Sequence, residues 1–381
     1  MSRLNSFLEG VRVLDLSQYI PGPMASLFLA DMGAEVLKIE PPRGDEMQSL
    51  GPKDAAGEPV FYRALNAGKT VRRMDLKDDA KRAEFLALVK DYDVLIEGFR
   101  PGVLARLGIG YPVLSRINSG LIVCSVSGFG ARGSDTAKAA HDGNYLATGG
   151  VLDRNGVGGP MFFDPPLSDV SGSLFAVIAI LGALHERQRT RRGCEIDLGL
   201  ADVVMPLQLM QVADWGANAH VPKAATTYLN GGAAYYQVYA TRDGRHVMLG
   251  AVEPKFWRAF CAAAGRPDWV ARQSEPLPQT RLIADLAVFF KSLSLAEAAS
   301  RFADVDCCFS PVLDLEEALT SEQLRSRGLV RREPASGALQ ALFPAYVDGE
   351  EPRVRPPLAL HAAGTRMSIQ GSIQGSNQGS K

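Results

Sequence analysis

Short runs of aliphatic and β-branched residues alternate along the first half of the chain with longer stretches whose apolar side chains recur every three or four positions. VRVLDLS (11–17) reads as a strand, PGPMASLFLADMG (21–33) as a helix with proline near its start, and AEVLKIEP (34–41) as a strand, which together make a βαβ unit. VRRMDL then reads as strand, DDAKRAEFLALVKDY as an acid-started amphipathic helix, and VLIEGF and LIVCSVSGFG as further strands. Such an alternation predicts a mostly parallel sheet with helices covering it. LFAVIAILGALHERQ is apolar almost all round until His185 and Glu186, so it predicts a buried helix ending at the surface, with RRG as a basic, glycine-stopped terminus.

The texture changes near residue 220. YYQVYATRDGRHVMLGAV holds two strand-like runs joined by Asp243-Gly244, a hairpin signal, and EPKFWRAFCAAAG predicts a helix with proline first and glycine after its end. We therefore expect a large domain over 1–200, a linker over 201–225, a smaller α+β domain over 226–320 and a return to the large domain over 321–362. The tail over 363–381 repeats a Gln-Gly-Ser unit with few apolar residues and is expected to be disordered.

Composition narrows the function classes. The 381 residues suggest about two domains, and 46% hydrophobic with 22% charged residues is ordinary for a globular chain. A formal net charge of -1 gives no sign of a nucleic-acid or acidic-membrane partner, so any anion must be held locally. The five cysteines form neither a disulfide framework nor a zinc pattern. Met1–Gly10 has no apolar signal core, and the apolar run within Leu174–Leu184 falls short of the ~20 residues of a membrane span, so a cytoplasmic protein is expected.

Chemistry has few places to sit. The first βα junction, SQYIPGPMAS, lacks the glycine spacing of a dinucleotide fingerprint, and there is no G-x-S-x-G, HExxH or P-loop, so no metal or prosthetic group is expected. His141, in AAHDGNY, sits beside Asp142 and ahead of Tyr145 at a helix start, where amides point outward. Asp169, in LSDVSG, reads as a helix N-cap, or as a carboxylate facing a cleft in the positive field of a helix start. Glu253, before Pro254, reads first as a helix-start residue. His185, His220, His246 and His361 are scattered without ligand or triad spacing.

Several blocks, in order, carry a resemblance: LDLSQYIPGPMASLFLADMGAEVLKIEPPRGDE, DVLIEGFRPGVLARLG, LIVCSVSGFG, AHDGNY, LSDVSG and YLNGGAAYYQVYATRDGRHVMLGAVEPKFW. The chain resembles the class III CoA-transferase superfamily and, within it, the α-methylacyl-CoA racemases. The resemblance implies an interlocked homodimer, each chain a Rossmann-like large domain plus a small α+β domain, with the active site between one large domain and the partner's small one. It implies His141 and Asp169 as the catalytic pair of a racemase acting on 2-methylacyl-CoA thioesters, with Glu253 orienting the imidazole and the amide near Asp142 holding the thioester oxygen. In the transferase branch of the superfamily the same aspartate is a nucleophile, and a CoA-transferase with a covalent Asp169 intermediate is the alternative. A third reading is a homodimer that binds CoA thioesters without turnover.

His141 and the EPKFW block favour the racemase side, as does Ile20, where formyl-CoA-type transferases carry glutamine. The chain departs from the racemase pattern at Pro41, Ala140, Gly143, Pro165 and Asn230. CoA enters as part of the substrate. Its adenine end is expected along LNAGKTVRRMDLK, with Asn66, Arg100, Lys69, Arg72, Lys138 and Tyr145 as contacts. Lys69 and Lys138 read equally well as solvated surface side chains.

Overall fold

The computed structural model describes residues 3–156 and 158–361, so the Gln-Gly-Ser tail lies outside the described residues. Along the large domain run β1 (Arg12–Asp15), α1 (Pro21–Asp31), β2 (Glu35–Glu40), α2 (Val60–Asn66), β3 (Thr70–Arg73), α3 (Asp79–Val89) and β4 (Val94–Glu97). Next come α4 (Val103–Arg106), α5 (Tyr111–Ile117), β5 (Ile122–Ser127), α6 (Asp142–Thr148), α7 (Leu167–Thr190) and β6 (Glu195–Gly199), and the stretch expected as a linker holds α8 (Leu209–Asn218). The smaller unit holds β7 (Tyr236–Ala240), β8 (His246–Gly250), α9 (Pro254–Ala264), α10 (Thr280–Lys291), α11 (Leu295–Phe302) and β9 (Phe309–Pro311). The chain closes with α12 (Leu315–Thr320), α13 (Glu322–Arg327), β10 (Val330–Arg332), β11 (Leu339–Ala341) and β12 (Ala359–Leu360).

Seven strands form one parallel sheet in the order β12-β3-β2-β1-β4-β5-β6. Both faces are covered, which explains why its strands read as nearly continuous apolar runs. Val13, Ile96 and Cys124 point into one core with α1 and α7, whereas Leu14, Leu95 and Val123 point into the other with Phe85 and Val89 of α3 and Leu114 of α5. Strand order reverses between β1 and β4, the arrangement that opens a crevice at the carboxyl ends of the strands.

The smaller unit has its own core. The antiparallel sheet β7-β8-β9 packs with α9 and α10 around Trp257, Phe260, Trp269, Phe290 and Phe302. Gly244 takes the left-handed conformation that the hairpin turn needs. The chain then returns to the large domain, where β12 adds to β3 and Arg355 forms a buried bidentate pair with Asp31 at 2.6 and 2.7 Å.

Three expectations about α7 are corrected. It runs for 24 residues and is long and apolar enough to cross a bilayer by length and composition, so the shorter apolar run understated it. In this fold one side of it packs on α1 and β5 through Ala176, Val177 and Ile180, while Leu174 and Ile178 stand exposed, so the helix is buried on one side only. Its left-handed terminal residue is Arg191 rather than Gly193.

Beneath the crevice lies a buried ionic network. The Lys69 ammonium donates to the Pro23 carbonyl at 2.8 Å and Asn66 Oδ1 at 2.9 Å, and pairs with Asp15 Oδ2 at 3.3 Å. Lys38 donates to the Ser17 carbonyl at 2.6 Å and pairs with Asp45 at 3.0 Å. Burial by itself would raise the Asp15 carboxyl, but Lys38, Lys69 and the Ser17 and Ser26 hydroxyls bring it down to about 2. The network ties β1 to the start of α1, where Gly22 is required because a side chain there would meet Ser17 Cβ at 2.2 Å. Replacing Lys69 with alanine leaves Asp15 an under-compensated buried charge, so we expect a loss of about 3–5 kcal/mol in urea unfolding.

Candidate active site

A cleft of about 560 Å³ opens at the carboxyl ends of the central strands. Its walls come from the turn after β1 (Gln18, Tyr19, Gly22), the turn after β4 (Gly98, Phe99, Arg100) and the end of β5 (Ser127, Gly128, Phe129). His141, Tyr145 and Asp169 complete it, with Lys138 at the rim. The two residues singled out for proton chemistry, far apart in sequence, therefore share one cavity.

The local chain explains how they get there. After β5 the backbone crosses to α6, for which His141 is the residue preceding the first turn, and the His141 amide donates to Asn144 Oδ1 at 3.0 Å. The imidazole is left exposed toward the cleft. Asp169 is not the N-cap of its helix: α7 begins at Leu167, so Asp169 stands in the first turn and its carboxyl is free for the cleft. The capping is done from another helix. Asp142 Oδ1 accepts from the amides of Ser168 at 2.6 Å and Asp169 at 3.1 Å, satisfying two orphan donors at the start of α7.

Electrostatics follow from this packing. Burial, with the Asp142 charge adding to it, pushes the Asp169 carboxyl up to about 7. Tyr145 is pushed up to about 12, by burial first and then by Asp169 and Asp142, so it remains a neutral phenol whose hydroxyl donates to the Ala140 carbonyl at 2.9 Å. Gly128 is needed beside it, since a side chain there would meet the Tyr145 hydroxyl at 2.5 Å. Ser127 Oγ, buried at the cleft floor, has no hydrogen-bond partner among the described residues. Sequence reading passed over Ser127, because a serine at a strand end carries no local signal of being left unpaired.

Other expected contacts lie elsewhere. Asn66 and Lys69 are buried in the network under the sheet with their polar atoms engaged, so Lys69 is neither a surface cation nor a group facing the cleft. Arg72 is ion-paired with Glu84 and does not line the cleft. Of the expected cations, Arg100 and Lys138 reach it. Glu253 precedes α9 as expected, yet its exposed carboxylate makes no capping bond and does not line the cleft of this chain.

A doubly covered parallel sheet with an acid–imidazole cleft at its switch point, joined to a small α+β unit, defines an α/β enzyme of acyl-CoA chemistry once the relatives are considered. The chain matches CoA-transferase family III over residues 8–359, and it belongs to that family. It is 32% identical over 325 residues to the alpha-methylacyl-CoA racemase of Homo sapiens, covering 84% of this chain and 81% of that protein. It is 31% identical over 365 residues to the acetyl-CoA:oxalate CoA-transferase of Acetobacter aceti, covering 91% of each. Among solved structures, a CAIB/BAIF family protein from Brucella suis superposes with a TM-score of 0.80 at 25% identity over 92% of this chain and 95% of that one. The protein is thus an enzyme of the class III CoA-transferase family, whose members include both racemases and transferases.

The raised Asp169 carboxyl has a consequence for stability. A carboxyl whose folded value of about 7 exceeds its ordinary 3.8 contributes most below 3.8, and that contribution is lost as the pH rises through 7. Asp169→Asn removes the ionisable group, so its stability relative to wild type should grow from pH 4 to pH 7 and level off above, as read by urea unfolding at several pH values.

Proposed function

We propose that this enzyme is an acyl-CoA racemase that interconverts the epimers of 2-methylacyl-CoA thioesters by 1,1-proton transfer. The observation that carries the reading is the shared cleft, in which His141 and Asp169 stand on the starts of two different helices. One group takes the proton from Cα, the C–H electron pair passes into the thioester enolate, and the other group returns a proton to the opposite face. Nothing is oxidised or consumed. A thioester α-proton of pKa roughly 20 facing a base near 7 leaves a gap of ~18 kcal/mol, so the oxyanion must be stabilised as it forms. The Asp142 amide in the first turn of α6 is the donor we assign to it.

A carboxyl near neutrality can both hold and release a proton in the working pH range, which suits an acid–base partner. In the transferase alternative Asp169 must be ionised to attack the acyl carbon, and its surroundings oppose that charge. CoA enters as part of the substrate, with Arg100 and Lys138 as the cleft cations for its phosphates, Lys138 being paired with Asp135 at 2.9 Å until a phosphate replaces it. Thiols that are all free among the described residues suit a reducing, cytoplasmic setting.

The reading includes a homodimer in which a second copy's small domain would bring Glu253 to His141. It is supported by an exposed apolar surface: Leu209 at 72% and Trp215 at 62% on α8, and Ile178 at 63% on α7. Leu209→Glu combined with Trp215→Glu should convert the dimer to monomer in sedimentation and lower turnover with it.

Incubating wild type with one 2-methylacyl-CoA epimer in heavy water should yield both epimers with deuterium at Cα. His141→Ala should lose this exchange while remaining folded. A hydroxylamine-trapped adduct on Asp169, with CoA passing between two acids and no deuterium uptake, would establish the transferase reaction instead.

A further inference from the structure

We propose that the Asp142 side chain is a positioning residue of this site, distinct from its own backbone amide: its carboxylate ties the first turn of α7 to that of α6, fixing where Asp169 stands relative to His141. The two hydrogen bonds that Asp142 Oδ1 accepts, 2.6 Å from the Ser168 amide and 3.1 Å from the Asp169 amide, run between helices. His141 immediately precedes Asp142, and Asp169 carries one of the two bonded amides. A single side chain therefore connects the backbones of both reacting residues.

The arrangement has a second effect. A carboxylate accepting from the Asp169 amide brings a negative charge close to the Asp169 carboxyl, and two adjacent carboxyls do not both ionise freely. The groups facing Asp169 are few. From α6 come Asp142 and Tyr145, whose hydroxyl is spent on the Ala140 carbonyl, and His141, Lys138, Arg100 and Tyr19, whose hydroxyl donates to Glu46, line the same cleft. Of the charged groups, Asp142 is the one that adds to burial in raising Asp169. The capping bonds and the charge are thus two separable actions of one carboxylate.

Asparagine separates them. Its amide oxygen can still accept from both α7 amides, but it carries no charge. Alanine removes both. The inference rests on the racemase reading only for the use made of the Asp169 proton, so the decisive measurement does not need turnover.

The full chain carrying 13C-carboxyl aspartate is titrated by NMR, with the Asp169 signal assigned as the one lost in Asp169→Asn. Wild-type Asp169 should titrate near 7, and in Asp142→Asn its midpoint should fall but stay above 3.8, because burial, the larger cause, is unchanged. In Asp142→Ala the midpoint should fall as well, and α-deuterium exchange should drop by at least about tenfold, the scale of a catalytic group displaced by a fraction of an ångström to an ångström. An Asp169 midpoint unchanged in Asp142→Asn, or wild-type exchange in a folded Asp142→Ala, would overturn the proposal. Should the alanine variant fail to fold, amide hydrogen exchange decides the tether: the Ser168 and Asp169 amides should be protected in wild type and in Asp142→Asn alike, and rapid exchange of both in the folded wild type would overturn it. Should wild type exchange no α-proton with any thioester, the racemase reading falls while the titration still judges Asp142.

Discussion

Two helix starts converge on the cleft, and a carboxylate on one caps the other. The first turn of any helix presents amides that nothing inside the helix can satisfy. At α7 two of these amides, those of Ser168 and Asp169, are met by Asp142 from α6. Because that acceptor belongs to the helix whose start also carries His141, satisfying the backbone of α7 and placing the acid in the same cleft as the imidazole become one requirement. Burial, with the negative charge this contact adds, is why Asp169 holds its proton above the usual carboxylate range.

That contact can form only because the sheet delivers both helices to one edge. Every strand of the large sheet runs parallel, so all the turns after β1, β4 and β5 open on the same side, and the reversal of strand order between β1 and β4 leaves the gap there. The floor of the gap is held from below by ions rather than apolar packing. Lys38, Lys69, Asp15 and Asp45 lie buried where the β1 to α1 turn must approach closely, and the two lysines donate to the Ser17 carbonyl of that turn and the Pro23 carbonyl at the start of α1. Buried ion pairs contribute little net stability, but they penalise any other arrangement of that turn.

The apolar surface left open on α7 and α8 belongs to the same economy of the fold. Ile178, on the helix that carries Asp169, and Leu209 and Trp215, on α8, face solvent in the single chain. The racemisation we propose would need water kept from the cleft, since exclusion of water is what gives a fixed amide donor its strength. In the dimer we propose, the second copy would cover these faces and close the cleft together.

The order of strands and helices in the large domain was legible from residue order, because apolar periodicity is a local property: β1, α1, β2, α3, β4 and β5 all fall where the pattern puts them. The hairpin at Asp243-Gly244 and the α9 boundaries, with Pro254 first and Gly265 left-handed, were legible for the same reason. His141 and Asp169 could be named as a pair only through family resemblance, and their meeting in one cleft is a fact of tertiary structure. Lys69 looks like a surface cation from its neighbours in sequence, yet it is buried beside Asp15, a residue whose proximity no local pattern encodes. Likewise Asp169 looks like a cap, whereas the cap is Asp142. Dihedral preference and apolar spacing act between residues a few positions apart, and so can be read along the chain. Burial and charge act between residues the fold alone makes neighbours, and those decide which side chains are buried, which remain unpaired and which acid keeps its proton.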